Sequence, residues 1–122
     1  MPDRKKALVV DDQAINRTFI KLYLTTSGYD VLTAEDGIQG LSACQSQRFD
    51  LVFTDIEMPN MNGIEFLRSA KKLSGYDKIP FVVLSTLDNQ AVKDKVTGFG
   101  AFHYMVKPYT EAKMAELFQK LK

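Results

Sequence analysis

Asp11, Asp12, Asp55, Ser85 and Lys107 all sit where a short, mostly apolar run stops: Ala7-Leu8-Val9-Val10, Leu51 to Thr54, Phe81 to Leu84, and Ala101 to Val106. Three carboxylates gathered in one place repel, and each raises the pKa of the others unless a cation compensates. A hard divalent ion does so. Magnesium prefers oxygen ligands in octahedral geometry and keeps several waters, so two or three carboxylates and a backbone carbonyl suit it. Lys107 adds a second positive group opposite. Metal plus ammonium is the combination that neutralises phosphoryl oxygens during in-line transfer.

Whether these residues meet depends on the elements carrying them. Ala7 to Val10 reads as a strand buried on both faces. Ile15, Phe19 and Leu22 then recur at helical spacing up to Ser27-Gly28, where the glycine suits a helix C-terminal cap. Tyr29 to Ala34 predicts a second strand, Glu35-Asp36-Gly37 a turn, and Ile38, Leu41 and Cys44 one face of a second helix. Asp50 to Thr54 predicts a third strand ending at Asp55. A loop, Met58-Pro59-Asn60, precedes a helix carrying Ile64, Leu67 and Ala70. Pro80 to Leu84 predicts a fourth strand ending at Ser85. Val92, Val96 and Phe99 mark a weaker helix closed by Gly98 and Gly100, and Ala101 to Val106 a fifth strand ending at Lys107-Pro108. Met114, Leu117, Phe118 and Leu121 stripe the last helix.

Five strand–helix units in strict alternation predict an α/β domain with a parallel sheet covered on both faces, built from right-handed crossovers. In such open sheets ligands lie outside the carboxyl ends of the strands. Four strands therefore deliver Asp11, Asp12, Asp55, Ser85 and Lys107 to one edge.

The 122 residues fit one domain spanning positions 1–122, with 45% hydrophobic and 25% charged residues in the ordinary globular range. The formal net charge of +1 provides no field favouring nucleic acid or membrane, and Arg4-Lys5-Lys6 and Lys71-Lys72 are too short to form a binding patch. Cys44 is the only cysteine, so no intramolecular disulfide and no cysteine metal site can form, which suits a reducing cytoplasm. The four apolar residues after Lys6 are too few for a signal peptide or a membrane span.

At this point Val10-Asp11-Asp12, Thr54-Asp55-Ile56-Glu57-Met58-Pro59, Ser85-Thr86 and Val106-Lys107-Pro108 together resemble the signature of receiver domains of the two-component response-regulator family. Each motif is weak alone, but four in order over nearly the whole chain make a joint signal. The resemblance implies a single doubly wound, flavodoxin-like (βα)5 domain whose five-stranded parallel sheet has the order 2-1-3-4-5. It further implies Asp55 as phosphoacceptor and a magnesium ion, with manganese as an alternative. The Asp12 and Asp55 side chains and the Glu57 backbone carbonyl would hold the ion, with Asp11 acting through water. Lys107 would pair with the phosphate, and Ser85 would bond the phosphoryl group and report it. Tyr104 matches the aromatic that changes rotamer in the active state, while Glu57 and Leu87 occupy positions that tune how fast the phosphoryl group is lost. The implied partners are a sensor histidine kinase as phosphodonor and a downstream protein target, reached through the fourth helix, fifth strand and fifth helix of a cytoplasmic monomer.

Each residue also has a local explanation. Asp11 and Asp12 could cap the first helix, Asp55 could close a strand-end turn, and Ser85 could bond its own backbone. Tyr104 could simply pack. His103, inside a strand with no second histidine, is a poor phosphorelay donor, and Cys44 reads as a small buried hydrophobe. Among rival functions, a small phosphatase with an aspartyl-phosphate intermediate needs an aspartate pair two apart, whereas Asp11 and Asp12 are adjacent. A flavin carrier needs a hydroxyl- and glycine-rich loop that Asp11-Asp12-Gln13-Ala14 does not provide. A receiver portion of a hybrid histidine kinase or a phosphorelay shuttle is the remaining alternative, although Met1 favours a stand-alone protein of the chemotaxis-regulator sort or a phosphate shuttle.

Overall fold

The computed structural model describes residues 4–107 and 110–121, so the Pro108 contribution expected above lies outside the described residues. Within them, strands and helices alternate: β1 (Lys5–Val10), α1 (Ala14–Thr26), β2 (Tyr29–Ala34), α2 (Gly37–Ser46), β3 (Leu51–Asp55), α3 (Gly63–Lys71), β4 (Phe81–Ser85), α4 (Gln90–Gly98), β5 (His103–Val106) and α5 (Glu111–Leu121). All strand pairs are parallel, in the order β2-β1-β3-β4-β5. The doubly wound fold is as expected.

Alternate side chains of each inner strand feed two cores, which is why these strands read as unbroken apolar runs. Leu8, Val10, Val52, Phe81 and Val83 pack against Cys44 of α2, Phe66, Leu67 and Ala70 of α3, and Val96 of α4. Ala7, Val9, Leu51, Phe53, Val82 and Leu84 pack against Ile20 and Leu24 of α1 and Met114 and Leu117 of α5. The strand order reverses between β1 and β3, and that switch point opens a crevice at the carboxyl edge. Among the described residues, no helix is long and apolar enough to cross a membrane.

Two helices differ from the expected stripes. On α1, Ile15 is 78% and Leu22 66% exposed, while Ile20 and Leu24 are fully buried and Phe19 half-buried. Apolar residues surround much of this helix, so the 3.6-residue period fits more than one face, and the sheet selects the one carrying Ile20 and Leu24. On α2, Ile38 is exposed and the inward face is Gly37, Gly40 and Cys44. A Cβ at Gly40 would lie 2.9 Å from Val10 Cγ2 and 3.0 Å from Phe66 Cε1, so close approach of the helix demands glycine and turns Ile38 outward. At the strand starts, β3 and β4 begin one residue later than predicted and β5 begins at His103 rather than Ala101. Gly28 does adopt the left-handed conformation expected after α1, with φ of 100°.

Gly63 locks the loop after β3. Its N–H donates to the Ile56 carbonyl at 2.8 Å, and a Cβ there would overlap the Asp55 carbonyl oxygen, which belongs to the sheet and cannot move aside. Asn62 and Glu65 close a capping box over the same helix end. Gly63→Ala is therefore expected to lower stability by about 2 kcal/mol, the cost of overpacking a fixed backbone. Gly98→Ala, where nothing lies within 4 Å of the added carbon, is expected to raise it by about 0.5 kcal/mol through helix propensity. Urea unfolding of the two variants checks the opposite signs.

Candidate functional site

The carboxyl edge of the sheet brings the strand-end residues together. Carboxylate oxygens of Asp11, Asp12 and Asp55 all lie within 4.8 Å of one another. Asp11 and Asp55 are buried and Asp12 is exposed, as adjacent residues leaving a strand must face opposite ways. Lys107, whose backbone N–H donates to the Ser85 carbonyl at 2.8 Å, reaches across the edge. Its Nζ stands 3.2 Å from Asp55 Oδ1 and 3.7 Å from Asp11 Oδ2. One ammonium thus faces two buried carboxylates.

That compensation is incomplete. Burial pushes the Asp55 carboxyl up from the ordinary 3.8 to about 6, and the neighbouring Asp11 adds to the rise against the opposing pull of Lys107 and the Ile56 N–H. Asp11 is raised as well, chiefly by burial, although the Gln13 N–H and Lys107 pull the other way. Asp11 Oδ1 accepts from the Gln13 N–H at 2.9 Å, but Oδ2 is buried with no hydrogen-bond partner among the described residues. A buried carboxylate oxygen with no hydrogen bond, beside two further carboxylates, fits a hard divalent cation.

Helix capping does not account for the aspartate pair. The residue capping α1 is Gln13, with no side-chain cap bond, and the Asp11 side chain accepts from the Gln13 N–H as a local turn bond rather than a helix cap. On the β4 side, Ser85 is fully buried; its hydroxyl donates to Glu57 Oε1 at 3.0 Å and accepts from the Leu87 N–H at 3.0 Å. Tyr104 is half-buried, and its hydroxyl donates to the Leu87 carbonyl at 2.6 Å. Asp11, Asp12, Asp55, Glu57, Ser85, Leu87, Tyr104 and Lys107 gather around this edge, whereas His103 and Cys44 do not. His103 opens β5 at the end away from Lys107, and Cys44 is buried in the α2–α3 core with its thiol pushed up to about 11.

Three supporting residues were not visible in the sequence. Arg17 Nη1 donates to the Asp11 carbonyl at 2.7 Å, steadying the turn out of β1. Asp36, buried at the start of α2, accepts from the Gln39 N–H and from Asn60 Nδ2 at 2.8 Å, which pins the loop carrying Glu57. Asn60 has a φ of 68°, a conformation asparagine tolerates better than most residues. Asn60 and Asp36 each carry a turn signal, but nothing in the sequence pairs residues 24 positions apart.

A doubly wound α/β domain with an acidic cluster and a crossing lysine at its switch-point edge defines a class, and comparison supplies the family. The model of the response regulator receiver domain matches residues 7–119. The chain belongs to that family and is a receiver domain of two-component signalling. A probable chemotaxis protein CheY of Rhizobium etli is 34% identical over 113 residues, covering 92% of this chain and 88% of its own. The chemotaxis response regulator CheY4 of Vibrio cholerae matches with a TM-score of 0.91 at 32% identity, covering 98% of this chain and 100% of that one. TrrA of Thermotoga maritima, a response regulator solved in complex with Mg(2+)-BeF, matches with a TM-score of 0.83 at 30% identity over 97% of this chain and 99% of that one. The chain spans about half the length of the transcriptional regulators it also matches, 43% for PhoP of Bacillus subtilis and 50% for ycf27 of Cyanophora paradoxa.

The raised Asp55 pKa has a stability consequence whose sign follows from linkage. A carboxyl whose pKa is higher in the folded state contributes stability below its unfolded value of 3.8, and that contribution is lost as pH rises through about 6. Asp55→Asn removes the charge and keeps the shape. In metal-free protein it is expected to match the wild type near pH 4 and to exceed it by about 2 kcal/mol above pH 7. Urea denaturation across that pH range checks this; a variant that loses stability at neutral pH would contradict the electrostatic account.

Proposed function

We propose that this receiver takes a phosphoryl group on Asp55 from a phosphohistidine kinase and passes the signal to a protein target through the α4–β5–α5 face. The observation that carries it is the Lys107–Asp55 ion pair of 3.2 Å inside a cluster of three carboxylates. Magnesium, or manganese in its place, would be held by the side chains of Asp12 and Asp55 and the Glu57 backbone carbonyl, with Asp11 acting through water. The bound ion supplies positive charge against the phosphoryl oxygens.

The chain's own residues do the rest. Asp55 Oδ1 is occupied by the Ile56 N–H at 2.9 Å and by Lys107, which leaves Oδ2 as the attacking atom. The Oδ2–phosphorus bond forms as the phosphorus–nitrogen bond of the donor histidine breaks, its electron pair returning to the imidazole. Lys107 then exchanges an aspartate oxygen for a phosphoryl oxygen, and Ser85 bonds another. Beyond forming and losing this phosphoryl group the domain catalyses nothing, and Glu57 and Leu87 flank the route by which it is lost. We assign the receiver to the whole chain, 1–122, acting as a cytoplasmic monomer.

With acetyl phosphate and magnesium, intact-mass measurement should show one added phosphoryl group, absent in Asp55→Asn and after chelation of the metal. Lys107→Ala should keep magnesium affinity in calorimetry while phosphorylation slows by about a hundredfold, a typical loss for one positive group at a developing charge. A phosphoryl group of equal yield in Asp55→Asn would sink the assignment of the acceptor.

A further inference from the structure

Ser85 ends β4 with no exposed surface. A hydroxyl has one proton to give and can accept through its lone pairs. Here the proton goes to Glu57 Oε1, and one lone pair takes the Leu87 N–H. Leu87 extends the connection, because its carbonyl accepts the Tyr104 hydroxyl. Glu57, Ser85, Leu87 and Tyr104 therefore form one chain of hydrogen bonds from the loop after β3, across the end of β4, to β5.

We propose that the Glu57–Ser85 bond is the resting latch of the domain: the Glu57 carboxylate is a positioning residue that holds the Ser85 hydroxyl proton until a phosphoryl oxygen on Asp55 takes it. The latch rests on Asp55 being the phosphoacceptor. Ser85 has a single proton, so its bonds to Glu57 and to a phosphoryl oxygen exclude one another. Because the hydroxyl is wholly buried, leaving that proton without an acceptor is costly, and it must belong to one partner or the other. Glu57 is exposed and can be released into water. Two discrete arrangements follow, which is what a switch requires.

The same geometry separates two roles of Glu57. Its backbone carbonyl faces the proposed metal duty, whereas its side chain is committed to Ser85, so a side-chain substitution removes the latch without deleting the carbonyl. Tyr104 is held at both ends in this state: its hydroxyl by Leu87, and its ring by the Lys93 ammonium 5.8 Å from the centroid.

Glu57 also repels an incoming anion directly, and that effect does not pass through Ser85. A double-mutant cycle divides the two. The probe is beryllofluoride at saturating magnesium, with affinity read by NMR titration of the wild type, Glu57→Ala, Ser85→Ala and the double variant. Glu57→Ala should tighten binding about fivefold or more when Ser85 is present, in line with loss of a charge-assisted competitor, and less than about twofold when it is Ala. Equal tightening in both backgrounds, or none in either, overturns the latch and leaves only repulsion or no effect. In metal-free Glu57→Ala, the Leu87 amide signal, which reports on the Ser85 hydroxyl it donates to, should move towards its position in beryllofluoride-bound wild type; a signal that stays put overturns the latch. Wild type that fails to bind the probe at all overturns the phosphoacceptor reading itself, an outcome distinct from binding without coupling.

Discussion

Three carboxylates held within 4.8 Å of one another at the end of a buried sheet, against one ammonium, constitute the constraint on which the rest of the structure depends. Left to themselves, such groups would separate into water. They stay together because β1 and β3 are central strands, packed on both faces by side chains with no exposed surface, and cannot shift to relieve the repulsion. Burial first, and the crowded charge after it, raise the pKa of Asp55, and Asp11 Oδ2 is left without a hydrogen bond. A site in this condition gains from any cation, and a cation so held attracts a phosphoryl anion.

The two sides of the edge are built differently. The loop that follows Asp55 is fixed at several points: by Gly63, by the Asn62–Glu65 capping box and by the Asp36–Asn60 bond. Across from it, α4 is nine residues long and buries only Val96, and its connection to β4 relies on Ser85 and the Asn89 cap. Chemistry sits on the rigid side and the capacity to rearrange on the other. Local stability that is low where a surface must change, and high where groups must be positioned, is the arrangement a phosphorylation switch needs.

Much of this was legible in the sequence for a definite reason. Central parallel strands are buried on both faces, so each read as a continuous apolar run, and the first polar residue after each run had to lie on the carboxyl edge. That placed Asp11, Asp12, Asp55 and Ser85, and the mostly apolar run of β5 placed Lys107, while the turn at Gly28 followed from glycine's freedom at positive φ. The phase of α1 was not legible, because Ile15 and Leu22 compete with Ile20 and Leu24 for the inward face and only the sheet decides between them. The outward turn of Ile38 likewise depends on the close contact of Gly40 with Val10 and Phe66. Long-range side-chain bonds, such as Glu57 to Ser85 or Arg17 to the Asp11 carbonyl, depend on rotamers and leave no periodic signal.

The central claim is that the carboxylate cluster is under-compensated and awaits a cation. Calorimetric titration of the protein with magnesium near pH 6, in buffers of differing ionisation enthalpy, counts the protons released as the ion binds. With the Asp55 carboxyl at about 6, the expected result is release of about half a proton per ion, falling towards zero at about pH 8, where the carboxylate is already ionised. Binding with no proton release near pH 6, or no binding at either pH, would contradict the account.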